Sequence, residues 1–256
     1  MALEGGRPLT RVCLHHFGGS ARTWDPVIDR LRAELDCIAP DLRGFGTAHA
    51  FAGPYTVDRY ADDVAHLVNR LAVERFVLVG HSMGGKIALA LAARRPAGLV
   101  SLVLLAPSPP TPEPMSEEER SATLAGHGDR AVAMATLAKI TARPLPPALA
   151  DRTTDDMRSS RAAWAAWLEH GSREDITAAV DGLGVPTLVV SGVEDKAILP
   201  DVQAAETLPR LRNGRLVTVT GIGHLLPLEA PDAVADLIRG VCRGVHSPGS
   251  PVRVIR

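Results

Sequence analysis

The sequence predicts an α/β fold, a mostly parallel sheet flanked by helices with an all-helical insertion, and three observations carry that expectation. Short apolar runs of strand type alternate with longer segments of helical period, the rhythm of right-handed crossovers in a parallel sheet. The run Phe76-Val77-Leu78-Val79 is apolar at every position, as a strand buried on both faces requires. The rhythm stops at Pro107 to Pro114, where five of eight residues are proline, and resumes only near Pro186.

At 256 residues the chain can bury a full core as one large domain with a modest insertion. A net charge of -1 without a basic stripe argues against nucleic acid or an anionic membrane surface as partner, and for a small neutral ligand. Cys13, Cys37 and Cys242 are widely spaced and form no C-x-x-C, so they read as reduced thiols rather than a disulfide framework or a metal site. No apolar run approaches a membrane span, and Met1 to Thr10 lacks the basic start and apolar middle of a signal peptide. The expectation is a cytoplasmic monomer or homodimer acting on a small molecule.

Taken in order, Arg11-Val12-Cys13-Leu14 is a short strand followed by a glycine-rich loop, His15-His16-Phe17-Gly18-Gly19-Ser20, able to turn backbone N–H groups toward a ligand. Trp24, Val27, Ile28, Leu31 and Leu35 recur at helical spacing and predict a helix over 24–35. A second strand, Cys37-Ile38-Ala39-Pro40, runs into the tight loop Asp41-Leu42-Arg43-Gly44-Phe45-Gly46. Tyr60, Val64, Leu67, Val68 and Leu71 share one face of an amphipathic helix leading to Phe76. After that strand, Ile87, Leu89 and Leu91 in an Ala-rich segment predict a buried helix that stops before Pro96, and Val100 to Leu105 a further strand.

Within the insertion, Ser116 and Glu119 form a capping-box pair, 131–140 is helical, and Pro144, Pro146 and Pro147 break the chain. Met157, Trp164 and Leu168 share a face of one further helix ending at Gly171, and Ser172 caps a short last one. This divides the chain into core (1–107), helical insert (108–182) and core (183–256). Such an insert would lie over the C-terminal strand ends, where open α/β sheets bind ligands, and act as a lid. Met115, Met134, Met157, Trp164 and Trp167 would form its apolar interior or face the ligand, with Trp164 the expected substrate contact. The sheet resumes with Pro186 to Ser191 and Arg215 to Val219, and the final helix spans 231–239.

The candidate chemistry begins at Gly80-x-Ser82-x-Gly84, where strand turns into helix. Such a turn holds a serine on a strained elbow with its hydroxyl exposed, the flanking glycines allowing the two backbones to pass closely. The alternative is a plain N-cap serine in a nucleotide-binding turn. A serine hydroxyl is a poor nucleophile at neutral pH, so it needs an imidazole to take its proton and a carboxylate to fix that imidazole. After Ser82 the chain supplies Asp195, in Gly192-Val193-Glu194-Asp195 following one strand, and His224, in Gly221-Ile222-Gly223-His224 following the next. Glu194 competes with Asp195; Asp195 is preferred because it holds the acid position of the G-x-x-D form. An oxyanion needs two preset N–H donors, assigned to Met83 after the serine and Phe17 in the loop after the first strand. No H-E-x-x-H, acidic metal cluster or G-x-G-x-x-G after a strand occurs, so neither metal nor organic cofactor is expected.

Together, His15-His16-Phe17-Gly18-Gly19-Ser20, Asp41 to Gly46, Gly80-His81-Ser82-Met83-Gly84-Gly85, Gly192 to Asp195 and Gly223-His224 resemble the α/β-hydrolase superfamily over nearly the whole chain except the insert. The resemblance is to small lidded esterases, haloperoxidase-like enzymes and meta-cleavage-product hydrolases, and the G-H-S-M-G-G spelling favours the esterases. It implies a Ser82-Asp195-His224 triad that hydrolyses small carboxylic esters without a cofactor. The same triad also serves lactone, thioester or C–C hydrolysis, a perhydrolase side reaction, or a ligand receptor whose closure is the output.

Two departures from the family pattern stand out. His16 occupies a loop position that is usually glycine, where it either borders the substrate pocket or is simply tolerated. Only about ten residues precede Val12, so the N-terminal edge hairpin is expected to be shortened or missing, with Val252 to Ile255 as a candidate to cover a sheet edge.

Overall fold

In a computed structural model, which describes residues 9–243 and the backbone of 253–255, each apolar run becomes a strand whose successive side chains enter two different cores. Val12, Leu14, Phe76, Leu78, Leu102 and Leu104 point to one face, and Cys13, Val77, Val79, Val103 and Leu105 to the other. That is why these runs lack polar alternation. The strands are β1 (Thr10–Leu14), β2 (Cys37–Ile38), β3 (Phe76–His81), β4 (Leu99–Leu105), β5 (Thr187–Gly192), β6 (Gly214–Val219) and β7 (Arg253–Ile255). They stand in the order β2-β1-β3-β4-β5-β6-β7, all pairings parallel.

Two layers of helix cover the sheet. Helices α1 (Asp25–Leu31) and α11 (Pro231–Cys242) bury Val27, Leu31, Val234, Ala235 and Ile238 on one face. Helices α2 (Val57–Arg70) and α3 (Met83–Ala93) bury Tyr60, Val64, Ile87, Leu89 and Leu91 on the other. Helix α2 starts where the Thr56 side chain accepts from the Arg59 N–H.

Between β4 and β5 the chain forms α4 (Glu117–Ala125), α5 (Arg130–Ile140), α6 (Pro147–Asp156), α7 (Arg161–Glu169) and α8 (Thr177–Val180). The capping box forms at Ser116 and Glu119 as expected. The single helix expected from Met157 to Gly171 is instead two. Met157 caps the end of α6, and Ser160, whose side chain accepts from the Ala163 N–H, starts α7, so that serine overrides the shared apolar face. Ser172 caps no helix: it is fully buried and accepts a hydrogen bond from the Arg120 guanidinium at 2.5 Å. Helix α1 ends at Leu31, short of the expected Leu35, and a 3-10 turn at Ala21–Trp24 precedes it.

Between β5 and β6 lies an irregular helical stretch beginning with α9 (Pro200–Val202), and α10 (Leu226–Glu229) precedes α11. Among the described residues no strand precedes β1, and β2 forms that edge with two residues. Arg253–Ile255 pairs with Val217–Val219 at the opposite edge, where the sequence suggested a cover; Val252 and residues 1–8 lie outside the described residues. All three cysteines are unpaired. No described helix is long and apolar enough to cross a membrane.

The strand order reverses between β1 and β3, each of which leads outward in a different direction. Chains leaving the C-terminal ends of those two strands diverge and leave a crevice between them, the place where open parallel sheets bind ligands.

Candidate active site

Ser82 follows β3 at that crevice, with φ 52° and ψ -117°, in the left-handed region that a residue with a Cβ adopts at a cost of about 1–3 kcal/mol. Four backbone hydrogen bonds hold it there. Its N–H donates to the Leu105 carbonyl at 3.0 Å, and its carbonyl accepts from Gly85 (2.8 Å), Ser108 (2.9 Å) and Lys86 (3.3 Å). At about 1 kcal/mol each, these offset the strain. A Cβ on Gly84 would come within 2.5 Å of the Leu14 carbonyl oxygen and 2.7 Å of that of His15, so α3 lies directly on the end of β1. The clash is with backbone and has no side chain to yield. Gly84→Ala is expected to destabilise the fold by about 3 kcal/mol, read as a fall of several degrees in thermal melting. An unchanged melting curve would show that the two backbones are not in contact.

The loops after β5 and β6 bring a carboxylate and an imidazole to the same end of the sheet. His224 Nε2 lies 2.9 Å from Ser82 Oγ, and His224 Nδ1 lies 2.8 Å from Asp195 Oδ2. The other oxygen, Asp195 Oδ1, accepts from the N–H groups of Ala197 (2.8 Å) and Ile198 (3.0 Å), which fixes the carboxylate and leaves Oδ2 for the imidazole. All three side chains are nearly closed off, at 7%, 1% and 5% exposure for Ser82, Asp195 and His224.

Burial alone would lower the basicity of His224, but the charge and hydrogen bond of Asp195, with Glu113 and Glu229 adding to them, hold its pKa above the usual histidine value. Burial would raise Asp195, and His224 together with the two N–H donors holds it below the usual carboxylate range. Glu194, the competing acid, turns away and accepts from the N–H groups of Gly221 (2.7 Å) and Ile222 (2.9 Å), bracing the loop that carries His224.

Met83 is the first residue of α3, whose opening N–H groups have no acceptor within the helix. Phe17 sits in the loop after β1, and its ring lies 4.2 Å from that of Trp164 and 6.3 Å from that of Trp167. Trp164 on α7 therefore covers the loop expected to hold an oxyanion, packed with Met157 and Leu168, while its Nε1–H donates to the Thr123 carbonyl at 3.2 Å. Trp167 joins the main core, and Met134 faces outward. His16 is buried with its ring 5.0 Å from that of His81, over Gly19, and neither ring nitrogen has a hydrogen-bond partner. Burial among the imidazoles of His81, His15 and His224 pushes its pKa well down, so the ring is neutral. Among the described residues no group of three His, Cys, Asp or Glu is placed to hold a metal ion.

Residues 12–237 match the model of the alpha/beta hydrolase family. The chain belongs to the alpha/beta hydrolase family. Over 251 residues this alpha/beta hydrolase is 31% identical to a pimeloyl-[acyl-carrier protein] methyl ester esterase of Aromatoleum aromaticum, covering 91% of this chain and 98% of that one. It is similar in structure to a thermophilic esterase from Thermogutta terrifontis, with a TM-score of 0.79, 29% identity and coverage of 94% and 92% of the two chains. It also matches an uncharacterized protein of Mycobacterium tuberculosis, 34% identical over 94 residues, 37% of this chain and 28% of that protein.

Several polar residues around the site of this alpha/beta hydrolase carried no signal in the sequence. His81, which reads as the variable position of the G-x-S-x-G motif, donates from Nε2 to the carbonyl of His224 at 2.8 Å, and burial lowers its pKa to about 3. Lys86, one turn into α3, is fully buried, donates to the Thr111 carbonyl at 3.1 Å and is brought down to about 8 by that burial. Burial also pushes the Glu113 carboxyl up. Lys86 and Glu113 come together because the proline segment folds back over α3, a contact that no local pattern encodes.

Proposed function

We propose that this chain is a serine hydrolase that cleaves carboxylic esters of small, mainly uncharged substrates through an acyl-enzyme, with helices α4 to α8 as its lid. The observation that carries the reading is the unbroken hydrogen-bond line from Ser82 Oγ through His224 to Asp195 on a strained elbow. With Nδ1–H donating to Asp195, Nε2 is the basic nitrogen and faces the hydroxyl. Ser82 Oγ attacks the ester carbonyl as its proton passes to Nε2, and Asp195 stabilises the imidazolium that forms. The N–H groups of Met83 and Phe17 receive the oxyanion. The imidazolium then gives its proton to the leaving alcohol, and a water activated by the same nitrogen releases the acid and restores Ser82. The apolar roof of Phe17, Met157, Trp164 and Leu168 supports an uncharged acyl group.

The test is steady-state hydrolysis of p-nitrophenyl esters of increasing acyl length, beside a simple lactone and a thioester. Repeated turnover with an optimum among the short or medium acyl chains is the expected result. A faster lactone or thioester would change the bond cleaved and keep the mechanism. A single burst without turnover would point to a receptor.

The acid limb of kcat/KM follows from the same geometry. Below its pKa the imidazole is already protonated and cannot accept from Ser82, so activity falls as pH drops through that value. Because Asp195 holds His224 up, the limb is expected above the ordinary histidine value of about 6.5. A limb well below it would mean that the Asp195 charge does not reach the base.

A further inference from the structure

Glu229 ends α10, five residues after His224, and its carboxylate is half-buried with three backbone N–H groups as partners. Oε1 accepts from Leu225 at 3.0 Å, and Oε2 accepts from Gly223 at 3.0 Å and from Ala142 at 2.7 Å. Gly223 and Leu225 are the two neighbours of His224 in the chain. Ala142 belongs to the insertion, just past the end of α5. The N–H of His224 itself donates to the carbonyl of Ile140 at 2.7 Å, and its carbonyl accepts from His81. The peptide groups around the imidazole are thus fixed by one carboxylate, one buried histidine and residues 140–142 of the insertion.

We propose that Glu229 is a positioning residue for His224, and that by sharing Oε2 between Gly223 and Ala142 it makes the placement of the imidazole depend on the seating of the inserted helices. The inference rests on the serine hydrolase reading of the same site. A carboxylate accepting N–H groups makes charge-assisted bonds that are roughly twice as strong as neutral ones, which suits it to fix the backbone of a loop whose Leu225 and Leu228 already pack with Leu137 and Ala150 of the insertion. The two segments also meet backbone to backbone. A Cβ on Gly223 would come within 2.5 Å of the Ile140 carbonyl oxygen and 2.7 Å of the Ala142 nitrogen. A shift of residues 140–142 therefore reaches the His224 loop with no flexible side chain in between to absorb it.

Glu229→Gln tests this with little change of volume. An amide offers one acceptor oxygen, so its NH2 must face either Leu225 or the Gly223–Ala142 pair, donor against donor. With an ester substrate, kcat is expected to fall by about 10- to 100-fold with little change in KM, since small misplacements of a catalytic group have effects of that order. The charged groups bearing on His224 are Asp195, Glu113 and Glu229, with the rings of His81 and His16 neutral beside it and Arg143 against Gly221. Removing one of three negative charges should also move the acid limb to lower pH, which a merely structural residue would not do.

Ala142→Pro removes the insertion's donor and leaves the charge in place. Thr141, at φ -97° and ψ 145°, already has the extended shape that a following proline requires. Here kcat should fall by about tenfold with the limb unmoved. If Glu229→Gln keeps its kcat and its acid limb while wild-type hydrolysis still depends on Ser82, the positioning role is overturned and the hydrolase reading stands. If Glu229→Gln does not fold, Ala142→Pro decides: an unchanged kcat overturns the proposal, and a reduced one supports it. Undiminished hydrolysis by Ser82→Ala would overturn both.

Discussion

Ser82→Ala is expected to lower kcat on p-nitrophenyl esters by on the order of a thousandfold or more while leaving the fold intact. The first part follows from the removal of the hydroxyl that His224 Nε2 contacts at 2.9 Å. The second follows from the backbone. Alanine at φ 52° carries the same left-handed strain as serine, and the four hydrogen bonds that hold the elbow are made by main-chain atoms and survive the change. The comparison must therefore pair the rate with a melting curve. Activity within tenfold of wild type in a variant of unchanged stability would remove Ser82 from the mechanism, leaving the elbow as a strained turn without chemistry.

Asp195→Asn is expected to be at least comparably damaging, by about ten-thousandfold in kcat, for a different reason. Its Oδ1 would go on accepting from Ala197 and Ile198, so the side chain keeps its orientation and its amide NH2 takes the place of Oδ2. An NH2 beside Nδ1 at 2.8 Å is a donor facing a donor. The imidazole answers by moving its proton to Nε2, where it faces Ser82 Oγ and can no longer accept. The lost charge acts in the same direction, since Asp195 is what holds His224 above its ordinary basicity. A rate loss confined to tenfold would mean that Glu113 or Glu229 can substitute for it.

The alternation of strand and helix, the site of the insertion and the candidate residues Ser82, Asp195 and His224 are legible in the sequence because each rests on a local rule. Apolar runs without alternation mark two-faced strands, and glycines at 80 and 84 mark two backbones in close passage. The choice between Glu194 and Asp195 is legible only in part. The structure separates the two acids by their partners, one meeting the imidazole and the other the loop backbone. Ser160 is a miss of another kind, since a helix broken by one capping serine keeps the apolar period on both sides of the break. Glu229, Lys86 and Glu113 were invisible because their partners are backbone groups or charges remote in the chain, and a carboxylate on a short helix reads as solvent-facing until its surroundings are known.

The line from Ser82 through His224 to Asp195 joins the ends of β3, β5 and β6, with β4 lying between. Its integrity is therefore a property of half the sheet rather than of any segment. No proteolytic fragment carrying the elbow alone would turn over ester. Partial unfolding that frees β5 or β6 would silence the enzyme while the β1-β3-β4 core still melts cooperatively. Loss of turnover on heating or in denaturant should accordingly precede loss of the main spectroscopic transition, which makes ester hydrolysis a sensitive reporter of local opening on the far side of the sheet.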